Sequence, residues 1–330
     1  MTTCVIGGSG FIGTRLCDRL SREAGHPFQI IDKTRSRTYS DLSSIADVRS
    51  VDALRAAVPE GAVLINLAAE HRDDVSPRSL YDDVNVQGAR NICTVAREKQ
   101  VRCIVFTSSV AVYGFAPLGT AESGSINPFN DYGRTKYEAE QVLRAWQEEA
   151  PDTRTLVIVR PTVVFGENNR GNVYNLLRQI AIGRFVMIGD GMNRKSMAYV
   201  ENVAAFLQHS LTSPPGVHVF NYVDKPDFTM NELVAQVSNL LGRPSTSRVR
   251  LPVAAGLLIG SCFDAVAKVS GRKFPISAVR VRKFCANSVY GSAAFNTGFT
   301  PPVSMEQALE RTVRHEFLAP ASEGPLFFSE

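Results

Sequence analysis

The stretch Thr3-Cys-Val-Ile-Gly-Gly-Ser-Gly-Phe-Ile-Gly13 decides the fold of this chain. Its first four residues form a short apolar run, typical of a buried strand, and lead directly into Gly7, Gly10 and Gly13. A helical pattern follows over about residues 14–24. Glycine is needed where the backbone bends sharply after a strand and comes close to a pyrophosphate at a helix N-terminus. The stretch therefore predicts a dinucleotide-binding unit.

Asp32 ends the next apolar run, residues 28–31, at the distance from the glycine turn that is typical of a ribose-binding carboxylate. A carboxylate there accepts hydrogen bonds from a ribose diol and repels a 2′-phosphate, so we expect NAD rather than NADP as the cofactor. Lys33, Arg35 and Arg37 follow and could attract a phosphate. A solvated loop is the better interpretation of these three cations.

Strands and helices alternate through the first half of the chain, which is typical of a parallel sheet covered by helices on both faces. The predicted elements are strands at residues 63–67, 103–107 and 155–159 and helices at residues 79–99 and 132–149. We expect an α/β fold, a doubly wound Rossmann sheet followed by a smaller C-terminal α/β domain.

After Pro161 the loops lengthen, as expected where substrate-binding segments are attached to the sheet. The expected NAD-binding domain covers residues 1–165, with a segment that returns to it at about residues 195–225. The expected substrate-binding domain covers residues 166–194 and 226–330.

The composition is that of a globular protein with a core, since 44% of the residues are hydrophobic and 21% are charged. The 36 basic and 32 acidic residues leave a net charge of +4, too small an excess to indicate nucleic-acid binding. The six cysteines are widely spaced and form no CxxC pair. We expect buried thiols in a reducing compartment, no metal site, and no leader peptide before the glycine turn.

Tyr132 and Lys136 lie four residues apart, hence on one face of a predicted helix. A phenol is a poor base at neutral pH, but a nearby ammonium and a positive nicotinamide ring favour the phenolate. The pair therefore indicates proton transfer at a secondary alcohol whose hydride moves to the cofactor. Ser108 and Ser109 follow the strand at residues 103–107, and a hydroxyl there can steady the charge that develops on the substrate oxygen. Either serine could do so, and we expect the other to cap the loop.

Five motifs occur in an order and spacing that resemble the extended short-chain dehydrogenase/reductases, and most closely their nucleotide-sugar epimerase branch. They are Gly7-x-x-Gly10-x-x-Gly13, Asn66-Leu-Ala-Ala69, Ser108-Ser109-x-x-Val112-Tyr113-Gly114, Tyr132-x-x-x-Lys136 and Arg160-Pro161. The resemblance implies that Ser109 is the hydroxyl partner, Tyr132 the acid and base, and Lys136 its activator. It also implies a homodimer formed through two long helices of each subunit.

The resemblance further implies a set of residues that contact the dinucleotide. In chain order they are Gly7, Gly10, Phe11, Ile12, Gly13, Asp32, Asp47, Val48, Leu67, Ala68, Ala69, His71, Asn85, Thr107, Tyr132, Lys136, Pro161 and Val163. Asp47 and Val48 would flank the adenine. His71 departs from the family, because many members carry lysine there, and a surface histidine with no cofactor role is an equal alternative.

Val110 and Ala111 stand where the dehydratases of the family place an Asp-Glu pair. Elimination of water needs an acid and a base at that point, so dehydration is disfavoured.

A narrower resemblance extends over the rest of the chain, to bacterial enzymes that epimerise C4 of N-acetylglucosamine carried on undecaprenyl diphosphate. It rests on long, uncommon strings, such as Asn169-Arg-Gly-Asn-Val-Tyr-Asn-Leu-Leu177, Lys195-Ser-Met-Ala-Tyr199 and Val279-Arg-Val-Arg-Lys-Phe-Cys285. Those enzymes act in O-antigen and related glycan assembly. The resemblance implies a lipid-linked sugar diphosphate as substrate, an inner-membrane surface as partner, and a place at its cytoplasmic face.

Lys195 stands where nucleotide-sugar epimerases usually have arginine, and lysine meets a diphosphate as a point charge without the forked geometry of arginine. A UDP site is thereby weakened, whereas a diphosphate site is not. The expected substrate contacts are Ser108, Ser109, Arg170, Asn172, Lys195 and Tyr199, with Arg194 as a further candidate.

The most apolar segment covers about residues 251–275 and is too short and interrupted to predict a bilayer span. On a helix, Ser261, Asp264 and Lys268 would share one face and leave Leu258, Ile259, Cys262, Phe263 and Val266 elsewhere. Arg272, Lys273, Arg280, Arg282 and Lys283 follow closely. Periodicity alone favours a helix pair packed on the substrate domain. The lipid-linked substrate implied by the resemblance favours an apolar wedge at an anionic membrane surface.

Three other functions remain open at the level of sequence. A soluble UDP-N-acetylhexosamine 4-epimerase and an NAD(P)H-dependent 4-ketosugar reductase would use the same tyrosine, lysine and serine. A non-catalytic NAD-binding protein would not need them.

Overall fold

The computed structural model describes residues 1–23, 25–72, 75–243, 250–270, 277–319 and 324–328. Its strands are β1 (Thr3–Ile6), β2 (Phe28–Asp32), β3 (Ser43–Ile45), β4 (Val63–Asn66), β5 (Cys103–Thr107), β6 (Thr155–Pro161), β7 (Val163–Phe165), β8 (Met187–Ile188), β9 (Arg194–Tyr199), β10 (Gly216–Tyr222), β11 (Asp224–Thr229) and β12 (Arg250–Leu251). Its α-helices are α1 (Phe11–Arg22), α2 (Val51–Ala57), α3 (Gly88–Glu98), α4 (Asp131–Glu148), α5 (Asn172–Ala181), α6 (Val200–His209), α7 (Met230–Leu240), α8 (Val253–Ser270), α9 (Ala278–Cys285) and α10 (Met305–Val313).

The large sheet has seven parallel strands in the order β10-β6-β5-β4-β1-β2-β3. β1 lies between β2 and β4, so the chain reverses its direction of winding there. A crevice opens at the carboxyl ends of the strands at such a point, and ligands of doubly wound folds bind in it. The doubly wound α/β prediction is confirmed.

Alternate residues of the central strands face opposite sides of this sheet, and each side is covered by helices. Cys4 and Ile6 of β1 lie in a buried cluster with side chains of α3 and α4, among them Ile92 and Trp146. Val5 faces the other way and packs among residues of α1 and α6. Burial on both faces explains why these strands read as continuous apolar runs.

The second half of the chain adds two small sheets. β9 pairs in parallel with β7 and antiparallel with β11, and β12 pairs with β8. Helices α5, α7 and α10 contribute to the buried cluster against the three-stranded sheet. α6 and β10 return to the large sheet, whereas β9 at residues 194–199 does not. The division into two domains at residue 165 remains a prediction.

Two helices differ from the sequence-based expectation. α1 begins at Phe11 rather than near residue 14, because Gly10 is its N-cap with extended backbone angles. The helix predicted over residues 79–99 is a π-helical segment, Asp82–Gln87, that continues into α3. The wider π-helical turn contains the buried residue Asn85, and such turns are frequent at functional sites.

Candidate active site

The glycine turn is pressed against the end of β4. Gly7 has a φ of +81°, and a Cβ built on it would lie 2.6 Å from the backbone nitrogen of Ala68. A Cβ on Gly13 would lie 2.5 Å from the Cα of Gly8. A Cβ on Gly10, by contrast, would meet nothing nearer than the Gly7 oxygen at 3.4 Å. Gly7 and Gly13 are therefore required by the turn itself, whereas Gly10 leaves room for a ligand next to the first residues of α1, Phe11 and Ile12.

Asp32 is held in place by the glycine turn. Its Oδ2 accepts a hydrogen bond of 3.0 Å from the backbone N–H of Ser9, and its Oδ1 accepts one of 3.1 Å from that of Thr34. The carboxylate thus lies at the end of β2 with a fixed orientation beside the turn. This is the place at which such folds bind the adenosine ribose.

Thr107 supplies an independent sign of a ligand. It ends β5 at the same edge of the sheet as the glycine turn, and its Oγ1 is buried without a hydrogen-bond partner. Buried hydroxyls are nearly always paired, so an unpaired one at a cleft fits a ligand that supplies the partner. Leu67, Ala68 and Ala69 follow β4 at this edge, where Leu67 N–H bonds to Ile6 at 2.8 Å. The residues present fit a dinucleotide.

The two residues expected beside the adenine are held by their neighbours. The carbonyl of Val48 accepts a hydrogen bond of 2.9 Å from Asn91 of α3. Asp47 is paired with the guanidinium of Arg49 at 2.7 Å, and the hydrogen bonds of Arg49 hold the pKa of this carboxyl below its usual range. A contact of either residue with adenine remains a prediction.

Asn85 joins the loop after β4 to the helix that carries Tyr132. Its Oδ1 accepts from the backbone N–H of Glu70 at 2.9 Å, and its Nδ2 donates to Glu70 O at 3.0 Å and to Thr135 Oγ1 at 2.9 Å. The amide group is thus used to position the wall of the cleft. His71 is exposed in the same loop, Pro161 ends β6, and Val163 is partly exposed at the start of β7.

Lys136 presents a buried ammonium one helical turn beyond Tyr132. Asn130 caps α4 by accepting from Gly133 N–H at 2.9 Å, which fixes the first turn that contains Tyr132. Lys136 is 2% exposed, and its Nζ lies 4.3 Å from the centroid of the Phe106 ring. Burial lowers its pKa to about 7, and the charge of Glu140 opposes this effect. In the described part of the chain no group accepts a hydrogen bond from this ammonium, which fits a role in holding a ligand.

Ser109, and not Ser108, faces the tyrosine. Ser109 caps the short helical turn at residues 110–113 by accepting from Ala111 N–H at 3.1 Å, and it also hydrogen-bonds Tyr132. Burial raises the pKa of Tyr132 to about 12, and the hydrogen bond with Ser109 acts in the opposite direction. Ser108 points elsewhere, since its hydroxyl donates to Glu140 Oε1 at 2.5 Å. The structure thus separates the two serines that the sequence leaves equivalent.

A buried polar network beneath the site is not visible in the motifs. Arg160 Nε donates to Glu140 Oε1 at 2.9 Å, and the same guanidinium donates to the Tyr113 hydroxyl at 2.7 Å. That hydroxyl donates in turn to Asn221 Oδ1 at 2.8 Å. Glu140 lies four residues after Lys136 on α4. This spacing places both residues on one face of the helix and could have indicated Glu140 from the sequence. The network ties α4 and β6 to the loop that holds Ser109.

Two of the expected substrate contacts are tied to the protein itself. Arg170 Nη1 lies 2.8 Å from Glu316 Oε2, so its charge is paired. Lys195 Nζ donates to the carbonyls of Lys283 and Ala286 at 2.7 and 2.6 Å. A lysine on these carbonyls caps the C-terminus of α9. Asn172 is exposed at the start of α5.

Tyr199 corrects one expectation. Its side chain is 1% exposed within the buried cluster of the second sheet, and its hydroxyl donates to Glu167 at 2.9 Å. Its backbone N–H donates to the buried carboxylate of Asp224 at 2.7 Å. A packed ring with a satisfied hydroxyl supports the junction of β9 and α6, so Tyr199 does not offer a surface to a substrate.

Comparison with known proteins agrees with this geometry. The sequence profile of the NAD dependent epimerase/dehydratase family matches residues 3–221, so the chain belongs to that family. It is accordingly an enzyme of the extended short-chain dehydrogenase/reductase type that uses NAD.

Two curated relatives differ in how closely they match. The chain is 47% identical over 328 residues to the N-acetyl-α-D-glucosaminyl-diphospho-ditrans,octacis-undecaprenol 4-epimerase of Escherichia coli O157:H7, covering 99% of this chain and 98% of that protein. It is 26% identical to the UDP-glucose 4-epimerase of Vibrio cholerae, covering 80% of this chain and 84% of that protein.

Solved structures share the fold. The UDP-glucose 4-epimerase of Thermus thermophilus in complex with NAD superposes with a TM-score of 0.71 at 20% identity, covering 96% of this chain and 98% of that one. The UDP-N-acetylglucosamine 4-epimerase of Bacillus cereus superposes with a TM-score of 0.73 at 17% identity, covering 95% of this chain and 98% of that one. At these identities the likeness concerns the fold.

Proposed function

We propose that this protein catalyses the reversible, NAD-dependent C4 epimerisation of N-acetylglucosamine on diphospho-undecaprenol to the N-acetylgalactosamine form, in the assembly of O-antigen or a related surface polysaccharide. The observation that carries the substrate assignment is the 47% identity, over nearly the whole of both chains, to a relative named for that reaction. UDP-sugar epimerases with curated names match at much lower identity over less of the chain.

The arrangement of three side chains supports the chemistry. Tyr132 takes the proton of the sugar's 4-hydroxyl, since its phenol lies on the first turn of α4 and is hydrogen-bonded to Ser109. Ser109 steadies the charge on the same substrate oxygen while the C4 carbonyl forms. A bound NAD, held by the glycine turn and Asp32, would supply the hydride acceptor for oxidation at C4 and the hydride donor for the later reduction, so that no other redox partner is needed. Tyr132 then gives its proton back to the oxygen, which completes the inversion without a net change in oxidation state.

Lys136 acts in this scheme as a cation that favours the phenolate. A tyrosine with a pKa of about 12 is protonated at neutral pH, so a neighbouring positive charge is needed to bring it into the working range. Glu140, one turn further along α4, opposes the loss of that charge. The glycine turn, Asp32 and Thr107 would hold the dinucleotide. The short turn at residues 110–113 carries Val110 and Ala111 in place of an acid pair, which speaks against dehydration.

A lipid-linked substrate implies contact with a membrane surface, and α8 offers apolar side chains for it. Gly256 and Gly260 face β8 and α9, since a Cβ on Gly260 would lie 2.7 Å from Ala278 N. Leu258, Ile259 and Val266 are left exposed. No helix within the described residues is both long and apolar enough to cross a bilayer. The lipid-linked substrate of the relative supports a proposed location at the cytoplasmic face of the inner membrane. The resemblance to the extended short-chain dehydrogenase/reductases supports a proposed homodimer. Arg272 and Lys273 of the expected basic cluster lie outside the described residues.

The test is a side-by-side assay of the purified protein on GlcNAc-diphospho-undecaprenol in detergent and on UDP-GlcNAc. We expect conversion of the lipid-linked sugar to its C4 epimer without consumption of added NADH. Rapid conversion of UDP-GlcNAc with no product from the lipid would instead assign a soluble UDP-hexosamine epimerase. Stoichiometric consumption of NADH with a 4-keto sugar would assign a reductase.

A further inference from the structure

Two exposed aromatic rings stack beside the reacting residues. Phe115 is 60% exposed and Phe129 is 45% exposed, and their ring centroids are 4.9 Å apart at an interplanar angle of 29°. Phe115 follows the short turn that Ser109 caps, and Phe129 directly precedes Asn130, the N-cap of α4. Each segment that carries a reacting hydroxyl therefore also supplies one ring of the pair.

The backbone holds these two segments together. Gly114 has a φ of +65°, and a Cβ on it would clash with the carbonyl oxygen of Asn127. Asn127 N–H donates to Val112 O at 3.0 Å. Because the contacts are between backbones, they hold the segment that carries Phe115 against the segment that carries Phe129. Apolar surface that is left exposed close to reacting groups is characteristic of a binding site.

The basic helix α9 borders the pair. Lys283 Nζ lies 5.0 Å from the centroid of the Phe129 ring. α9 carries Arg280, Arg282 and Lys283 and no acidic residue. Aromatic rings next to a set of cations are complementary to a molecule that joins an apolar chain to a diphosphate.

α9 also connects the pair to the exposed side chains of α8. The two helices pack closely at Gly260 and Ala278, and Asp264 of α8 accepts from Ala278 N–H at 3.0 Å. A lipid that reaches the site from a surface contacted by α8 would therefore pass α9 before the rings.

We propose that Phe115 and Phe129 form the entrance of the site, on which the isoprenoid units next to the diphosphate of the substrate lie while the sugar reaches Tyr132. The proposal rests on the lipid-linked substrate of the proposed function and adds the surface that recognises the chain. It commits to an isoprenoid as occupant, because the chain is the apolar part of the proposed substrate and Leu118, three residues after Phe115, is also exposed.

The test compares two substrates, GlcNAc-diphospho-undecaprenol and the same diphospho-sugar on a chain of two isoprene units, in detergent above its micelle concentration. In the double variant F115S/F129S, we expect the ratio of kcat/KM for the long chain to that for the short chain to fall about tenfold, as for loss of one well-covered aromatic contact. Ile182→Ser, which removes an exposed apolar side chain on another part of the surface, should leave the ratio unchanged.

Equal losses on both substrates would overturn the proposal, since the rings would then support the site rather than read the chain. An unchanged ratio together with a change of oligomeric mass in light scattering would also overturn it and would assign the rings to a contact between two copies. If the unmodified protein converts neither lipid and only UDP-GlcNAc, the proposed function itself fails. This outcome is seen without any variant, so it is distinct from a failure of the proposal about the rings.

Discussion

The hydroxyl of Ser108 donates a hydrogen bond of 2.5 Å to Glu140, whereas the hydroxyl of Ser109 is hydrogen-bonded to Tyr132. Glu140 is fully buried and also paired with Arg160, so the serine completes a polar network beneath the cleft. Ser109, next in the chain, is left to meet Tyr132. Under the proposed function, Ser108 would therefore stabilise the fold and Ser109 would take part in the chemistry.

Replacing each serine should separate these two effects. Ser109→Ala should lower kcat about a hundredfold, as removal of one donor to a developing oxyanion does in other enzymes. Ser108→Ala should keep kcat within a few-fold but lower the free energy of unfolding by about 1–3 kcal/mol, the effect of a lost buried hydrogen bond. Steady-state kinetics and urea unfolding of both variants test this. The opposite assignment, with Ser108→Ala inactive and Ser109→Ala active, would show that the serines have exchanged roles.

Tyr132→Phe should lower kcat by about 10²–10⁴-fold, because the ring keeps its packing but loses the proton acceptor and donor. NAD binding, followed by fluorescence titration, should stay within a few-fold of the unmodified protein. Tyr174→Phe is the matched control: its ring stacks on Phe317 and lies under Arg170, and it is carried by α5 rather than by α4. A Tyr132→Phe protein that retains full activity would refute the catalytic assignment and favour a binding protein.

The glycine turn offers a test that distinguishes folding from cofactor binding. Gly13→Ala should lower both the melting temperature and NAD affinity, because its Cβ would lie 2.5 Å from the backbone of Gly8. Gly10→Ala should leave the melting temperature of the NAD-free protein nearly unchanged, since its nearest neighbour is at 3.4 Å. Gly10→Ala should still weaken the binding of NAD, because the pyrophosphate comes close to this backbone. Thermal unfolding and NAD titration of the two variants measure these effects. An equal fall in melting temperature for both variants would contradict the prediction.

The sequence predicts those parts of this molecule that depend on local pattern. β5 occupies the predicted residues 103–107 because an apolar run bounded by polar residues specifies a buried strand. The glycine turn and Asp32 lie together because their spacing reflects one βαβ unit. Confirmed features of this kind need no knowledge of distant contacts.

Other features depend on partners far away in the chain, which no local pattern shows. Tyr199 is buried because its hydroxyl meets Glu167 and its backbone meets Asp224. Lys195 reaches carbonyls at the end of α9, which lie 88 and 91 residues away in the chain. Both residues lie in the segment at residues 195–199, from which the sequence predicted contacts with the substrate. The choice between Ser108 and Ser109 likewise depends on Glu140, which lies on another element.

Lys136→Met should abolish epimerisation and, at neutral pH, stabilise the fold. Burial lowers the pKa of Lys136 from 10.5 to about 7, so between these values the unfolded chain binds more protons than the folded protein. The stability of the unmodified protein therefore rises with pH across that window, and it carries the full cost of the buried cation only below it. Methionine has no such proton. The free energy of unfolding of the variant should exceed that of the unmodified protein by about 2–4 kcal/mol at pH 7. This difference should shrink as the pH approaches 10.5.

Glu140 does not become an unpaired charge in this variant, because Arg160 still holds it with an Nη2 to Oε2 distance of 2.5 Å. Lys33→Met, at an exposed lysine, controls for general effects of removing a positive charge. Urea unfolding of the three proteins at several pH values between 7 and 10.5 measures the difference. If Lys136→Met were less stable than the unmodified protein at pH 7, the ammonium would be stabilised by its surroundings. The pKa of Lys136 would then not be lowered by burial. The lysine would stay charged, and would favour the Tyr132 phenolate, up to a higher pH than proposed.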